Sequence, residues 1–232
     1  MKKIKTIVNK HLATMKPFVI RDKGGVPPML FFQFKTMDPG LEELNITQED
    51  EVIAVEKGFF VPMTTIEVMA NQDVFLKYMG MIMASLQQVG LVGDLESVTI
   101  ALSGKAKVRP LTPEGRTIDE LDVFIVSGVN KNEEVFTTTK ELRAKIGLNS
   151  MSYDLVDSDV LEEVDEGENL FLGNFFELYN ASKARILEDL ENMGMLNEAH
   201  IDKKENPAEF AAELLEAAAH ATVLASGINN QE

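Results

Sequence analysis

The chain of 232 residues contains no cysteine and no tryptophan, and it has only three histidines. Without cysteine, disulfides, thiolate zinc sites, iron-sulfur clusters and cysteine nucleophiles are all excluded. His11, His200 and His220 form no HExxH motif, and none has the companions of a catalytic triad. We therefore expect no metal, no cofactor and no catalytic residue, and the sequence favours a non-enzymatic protein without deciding the question.

Long apolar segments are also missing, since no run approaches the roughly 18 residues of a membrane helix. The basic start of the chain has no long apolar core behind it, because Lys10 and His11 interrupt it, so no secretory signal is expected. With 45% hydrophobic residues, the chain is long enough to bury one good core and a smaller second one. We expect a globular, cytoplasmic protein without a membrane partner.

Basic residues are scarce in the last third of the chain. Residues 1–150 hold 19 acids and 18 bases, for a net charge of -1, whereas residues 151–232 hold 19 acids and 4 bases, for a net charge of -15. Such a split indicates a basic partner for the acidic end and bears on association more than on fold.

Hydrophobic periodicity predicts an α+β protein in which an antiparallel β-sheet is covered by a helix. Residues 2–15 have the pattern of a basic amphipathic helix that ends before Pro17, and residues 18–21 are predicted to be extended. A second helix is predicted from Asp73 to a C-terminal glycine at Gly90. Strands are predicted at residues 29–35, 51–57, 98–109, 121–128 and 135–139.

The acidic third is predicted to contain an acidic linker and a helical hairpin. We expect an α+β domain over residues 1–150, a linker over residues 151–169 and an αα-hairpin over residues 170–227. Asn206-Pro207 with Glu209 is typical of a helix start. A hairpin of this size has too small a core to be stable alone, so it must dock on the sheet domain, on a second copy or on another protein.

Two charged clusters are the candidate sites. The first is a basic patch for anion binding or docking, formed by Lys105, Lys107, Arg109 and Arg116. Arg21 and Lys23 would lie near it if the first strand pairs close by. Ser103-Gly104-Lys105 lacks the glycine-rich run of a phosphate-binding loop. Nucleic-acid binding is not favoured, because aromatic residues are not interleaved and the net charge opposes a polyanion.

The second cluster is an acidic interaction segment in the predicted linker. Its residues are Asp157, Asp159, Glu162, Glu163, Asp165 and Glu166. An EF-hand loop starting at Asp157 fails, because Leu161 and Glu162 stand where a ligand and a glycine are required. Weak binding of a divalent cation stays open, but acidic runs more often form solvated linkers or interaction segments.

These observations lead to three hypotheses for function. The first is a non-enzymatic interaction or assembly protein that uses the acidic helical hairpin for self-association, as a homo-oligomer, or for docking to a basic protein. The second is an acidic mimic of nucleic acid that inhibits a nucleic-acid-binding protein. The third is an enzyme built on carboxylates or a divalent metal.

Overall fold

The computed structural model describes residues 2–44, 46–48, 51–53, 57–63, 72–107, 120–146, 151–158, 172–192 and 207–228. Within them the helices are α1 (Lys2–Arg21), a 3-10 helix (Pro39–Leu44), α2 (Gln72–Gln88), α3 (Phe175–Asn192) and α4 (Pro207–Ile228). The strands are β1 (Met29–Phe34), β2 (Ile46–Gln48), β3 (Glu51–Ile53), β4 (Gly58–Pro62), β5 (Leu95–Lys107), β6 (Glu120–Asn130), β7 (Val135–Ile146) and β8 (Met151–Val156).

Six of the described strands form one antiparallel sheet in the order β4-β1-β5-β6-β7-β8. Strands β2 and β3 pair separately, also antiparallel. The pairing of β6 with β7 places Val126 opposite Thr138, and the pairing of β7 with β8 places Leu142 opposite Leu155. The predicted α+β class with an antiparallel sheet is confirmed.

The chain divides into two compact units, each formed by separate stretches of sequence. The first unit comprises Met1–Met29, Thr99–Val129 and Glu134–Phe171, and the second comprises Leu30–Val98, Asn130–Glu133 and Leu172–Glu232. Strand β5 therefore contributes to both units, with residues 95–98 in the second and residues 99–107 in the first. The expected division at residues 150 and 169 stays a prediction.

In the first unit, α1 packs on β7 and β8 and buries one side completely. Ile4, Val8 and Met15 are fully buried, as the helical spacing of apolar residues requires. Gly128 of β6 lies beneath this face, and the absence of a side chain there lets the helix come close to the sheet.

The predicted end of this helix was wrong, because α1 continues through Pro17 to Arg21. Phe18 and Val19 were expected to be extended, but both are buried and continue the apolar face that begins at Ile4. The φ angle of proline suits a helix, and its cost lies in the lost hydrogen bond and a steric clash. Burial of two large apolar side chains offsets this cost.

The second unit has a core that is rich in phenylalanine. Phe31 of β1 and Phe60 of β4 meet edge to face, with ring centroids 4.3 Å apart. Phe32 packs on Phe59 at 6.0 Å and on Phe175 of α3 at 5.7 Å. The phenylalanines of the predicted strand at residues 29–35 are thus core residues that join β1, β4 and α3.

Both C-terminal helices pack on α2, and α4 also contacts the 3-10 helix. Gly80 allows α2 and α3 to approach closely, since a Cβ at this position would lie 3.2 Å from the backbone nitrogen of Tyr179. The two helices are present as expected, but residues 193–206, which join them, lie outside the described residues, so their arrangement as a hairpin stays a prediction.

Part of the expected acidic linker is a strand. Residues 151–156 form β8, which pairs with β7, and Leu155 in it is buried. Asp154 in the same strand accepts hydrogen bonds from Lys16 at 3.0 Å and Lys145 at 2.8 Å. These two lysines lower the pKa of the Asp154 carboxyl to about 2. An acidic residue therefore belongs to the sheet edge because two lysines surround it.

Among the described residues, no helix is long and apolar enough to cross a membrane.

Candidate functional site

The predicted basic patch is described only at its first two positions. Lys105 lies on β5 with an exposed side chain, and its Nζ is 3.5 Å from Oε2 of Glu120, which is also exposed. Lys107 ends the same strand, and its side chain lies outside the described residues, as do Arg109 and Arg116. An ion pair between two exposed groups is weak, so Glu120 holds Lys105 only loosely.

A cavity of about 270 Å³ lies beside Lys105, within the first unit. Its polar lining consists of Lys23, Ser103, Lys105 and Asp122, and its apolar lining includes Val19, Val123 and Leu142. The three elements that contribute the polar residues are the end of α1, strand β5 and strand β6. We call this space the cationic cavity, because its two lysines outnumber its one carboxylate.

The C-terminal turn of α1 brings Lys23 to the cationic cavity. Lys23 and Gly24 both have positive φ angles, of 54° and 83°, and the Gly24 amide donates a hydrogen bond to the Val19 carbonyl at 2.9 Å. This is the left-handed helix end that glycine favours. A Cβ on Gly24 would lie 3.0 Å from Cδ2 of Leu142 on β7, so the turn packs tightly against the sheet.

Ser103 is the buried polar group of the cationic cavity. Its Oγ is shielded from solvent and makes no hydrogen bond within the described part of the chain. Burying a hydroxyl without a partner costs about 1–3 kcal/mol, and the Thr99 hydroxyl on the same strand is buried in the same way. The next residue, Gly104, also lines the cavity and leaves the backbone open, since a Cβ there would meet nothing within 4 Å.

The structure thus brings Lys23 and Lys105 to one cavity, although 82 positions separate them in the sequence. The sequence predicted that these residues would meet only through an extended segment at residues 18–21, whereas a helix end makes the connection. Asp122 and the buried hydroxyl of Ser103 were not among the predicted site residues. No local pattern could have shown them, because their relevance depends on how α1 crosses the sheet.

The acidic interaction segment is described at one position. Asp157 follows β8, is strongly exposed and forms an ion pair with Lys140 of β7. The remaining predicted members, Asp159, Glu162, Glu163, Asp165 and Glu166, lie outside the described residues.

A second acidic surface, in the second unit, lies on α4. Glu209, Glu213 and Glu216 are exposed and follow one another at helical spacing of four and three residues, which places them on one side of the helix. Residues 207–228 contain no lysine or arginine. The opposite side is buried through Ala208, Ala211 and Ala218, whose exposed fractions are 6% or less. We call these three glutamates the α4 acidic face.

The helix α3 adds further carboxylates, but with bases among them. Its exposed acids are Glu177, Glu188, Asp189 and Glu191. Lys183 lies 3.7 Å from Asp94, which also accepts a hydrogen bond from Gln87 of α2 at 2.8 Å. The Tyr179 hydroxyl donates a hydrogen bond to the same glutamine, and burial raises the pKa of this hydroxyl. This polar network joins α2 to α3 and accounts for these side chains structurally.

The two described histidines have different surroundings. His11 on α1 is 3% exposed, and its burial, with Lys10 nearby, lowers its pKa to about 4. His220 on α4 is exposed, and His200 lies outside the described residues. Among the residues that the structure describes, no three histidine, aspartate or glutamate side chains are grouped so that they could hold a metal ion.

Comparisons of the chain with protein-family models, with curated proteins and with solved structures give no significant match. The function is therefore inferred from the charge and geometry of the chain itself.

Proposed function

We propose that this protein is a non-enzymatic interaction or assembly protein that binds a basic surface through the α4 acidic face. The observation that carries the proposal is the two-sided character of α4, with buried alanines on one side and exposed Glu209, Glu213 and Glu216 on the other. Because α4 packs on α2, the carboxylates project from a folded surface. Such a surface loses less conformational entropy on binding than an unstructured acidic tail.

Charge complementarity favours a basic partner. A helix with three exposed glutamates and no lysine or arginine accelerates association with a positive surface. The same charges disfavour association with an acidic surface. The other acids on α3 extend the negative field of the second unit. Association of this kind weakens as salt is added, because exposed charges are screened over about 8 Å at physiological ionic strength.

A second copy of this chain offers a suitable basic surface. Helix α1 contains five lysines and one arginine and no aspartate or glutamate. Lys3, Lys5 and Lys10 on it are exposed. Contact between the α4 acidic face of one copy and α1 of another would produce head-to-tail self-association, which closes into a ring or continues as a filament.

Sedimentation velocity at low and high salt tests the proposal. We expect wild-type protein to self-associate at 50 mM NaCl and to dissociate at 500 mM, and the triple variant Glu209→Gln, Glu213→Gln, Glu216→Gln to remain monomeric at both. Cross-linking of the wild type and of the triple variant inside cells detects a basic partner that is a different protein. A wild-type monomer whose cross-linked products match those of the triple variant would reject the proposal.

A matched control separates the effect of the α4 acidic face from the effect of the total charge of the protein. Glu120, Glu133 and Asp157 are exposed acids outside α1 and α4. Their triple replacement by the corresponding amides changes the net charge by the same three units and leaves α4 intact. This control is expected to associate like the wild type.

Mimicry of nucleic acid is a second candidate, supported by the regularity of the same glutamates. Their separation along α4 averages about 5 Å at a rise of 1.5 Å per residue, compared with about 3.4 Å between charges along one DNA strand. Under this alternative the partner is a nucleic-acid-binding protein, and duplex DNA must displace it from the α4 acidic face. A partner that binds DNA and this protein simultaneously would exclude mimicry.

A further inference from the structure

Apart from its acidic surface, the protein has a polar cavity in the first unit that the interaction function does not use. From the donors in it, we infer that the cationic cavity binds a small hydroxylated phosphate monoester. Lys23 and Lys105 would bind the phosphate, and Asp122 would accept a hydrogen bond from a hydroxyl of the ligand.

The number and type of donors favour phosphate over carboxylate. Two lysines line the cavity, one from the turn that follows α1 and one from β5. A phosphate monoester presents three peripheral oxygens and a charge of about -1.5 to -2 at pH 7, whereas a carboxylate presents two oxygens and a single charge. Lysine commonly binds phosphate as a point charge.

The volume of the cavity suits a small molecule. Drug-sized ligands occupy pockets of about 300–1,000 Å³, and this cavity of about 270 Å³ lies just below that range. It has room for the volume of roughly nine water molecules at about 30 Å³ each. A phosphate with a short hydroxylated carbon chain fits this space.

Asp122 determines what accompanies the phosphate. Its carboxylate repels an anion that has no other functional group. Together, the two lysines and the aspartate that line the cavity have a net charge of only +1. The same carboxylate is a strong acceptor for a hydroxyl group. Glu120 beside Lys105 is exposed, so it competes weakly for that lysine. The combination therefore selects a ligand that is anionic at one end and hydroxylated at the other.

The strongly negative net charge of the chain is compatible with this site. Charges farther away than about 8 Å are largely screened at physiological salt, so a small anion responds to the lysines that it touches. A polyanion, which extends beyond that distance, is repelled.

Calorimetric titration of the full chain with glycerol 3-phosphate, inorganic phosphate, glycerol and malonate tests the inference. We expect saturable binding of glycerol 3-phosphate, at least tenfold weaker binding of malonate, and no binding of glycerol. Absence of saturable binding for both phosphate compounds, or equal binding of malonate, would overturn it.

Variants show whether the cationic cavity is the place of binding. Lys23→Gly and Lys105→Gln are each expected to weaken binding of glycerol 3-phosphate about tenfold, in line with the loss of one charge-assisted hydrogen bond. Lys10→Gln, on an exposed position of α1, is the control and should bind like the wild type. Unchanged affinity in both cavity variants would contradict the assignment. Lys23→Gly suits this test because glycine accepts the backbone conformation at position 23, so the variant is expected to fold.

Asp122→Asn gives an independent readout of ligand orientation. Removing the carboxylate should strengthen binding of inorganic phosphate severalfold, because repulsion is lost, and should strengthen binding of glycerol 3-phosphate less, because a hydroxyl acceptor is weakened. An equal gain for both compounds would show that Asp122 does not contact the hydroxylated end.

Discussion

Gly128 of β6 lies directly beneath Val8 of α1, so that a Cβ at position 128 would be 2.8 Å from Cγ2 of Val8 and 3.1 Å from Cδ1 of Ile4. Real Cβ atoms do not approach other atoms so closely, so either the helix or the side chains must move to accommodate one. The glycine therefore fixes how near α1 lies to the sheet, and with it the position of the helix end that reaches the cationic cavity.

We expect Gly128→Ala to destabilise the protein by about 1–3 kcal/mol, as inserted carbon atoms do in a packed core. Urea unfolding measures the effect. Combining it with Val8→Ala should cost less than the sum of the two single changes, since the second removes the closest of the contacts. Gly104→Ala on β5 is the control, because its Cβ would meet nothing within 4 Å, and its effect should stay within about 0.5 kcal/mol. Equal losses at positions 104 and 128 would show that the close approach is not responsible.

Burial of His11 predicts a loss of stability in mild acid. Its pKa is about 4 in the folded chain and 6.5 in a model peptide, so the unfolded chain takes up the proton first as the pH falls. The stability associated with the neutral imidazole is complete above about pH 6.5 and declines between pH 6.5 and 4, by up to about 3 kcal/mol.

Replacing His11 with glutamine, which does not titrate, should flatten this part of the stability profile. Urea unfolding at several pH values between 4 and 7 compares the slopes of wild type and variant, whatever the absolute stability of the variant. His220→Gln, at an exposed position of α4, should leave the slope unchanged. A variant at position 11 with the wild-type slope would mean that carboxylates alone cause the acid sensitivity.

The backbone conformation at Lys23 predicts that replacement of this residue by glycine does not destabilise the protein. A φ angle of 54° costs an L-residue roughly 1–2 kcal/mol, a cost that glycine does not have. The greater freedom of glycine in the unfolded chain offsets part of the gain. We expect Lys23→Gly to leave the melting temperature unchanged or to raise it, whereas Lys10→Gly inside α1 should destabilise by about 1 kcal/mol. Destabilisation of similar size at both positions would contradict the left-handed conformation.

Local sequence patterns were sufficient to predict an element wherever its structure depends mainly on its own residues. Asp73 and Gly90 were predicted to bound a helix, and α2 runs from Gln72 to Gln88 with Gly90 in the left-handed conformation. The strand at residues 29–35 is β1, one residue shorter than predicted. These segments have strong periodicity and recognisable ends, so tertiary contacts did not need to override them.

The errors occur where tertiary packing outweighs a local signal. Pro17 signals a helix end, yet the burial of Phe18 and Val19 carries α1 to Arg21. Acidic residues signalled a linker from residue 151, yet Lys16 and Lys145 neutralise Asp154 within β8. The cationic cavity combines both effects, because Lys23 reaches it only through the longer helix and Asp122 only through the order of strands in the sheet.

The contact of Gly80 with α3 predicts how the second unit tolerates larger side chains. A Cβ at position 80 would lie 3.2 Å from the backbone nitrogen of Tyr179, and backbone atoms cannot move aside as a flexible side chain can. Gly80→Ala should raise the free energy of unfolding by about 1 kcal/mol through helix propensity and lower it by a similar amount through this close contact. Little net change is therefore expected. Gly80→Leu should destabilise by about 1–3 kcal/mol, because the larger side chain displaces α3 from α2. Met81→Leu, next to it at an exposed position, is the control and should remain near the wild type in urea unfolding. Tolerance of leucine at position 80 would show that α3 does not pack this closely on α2.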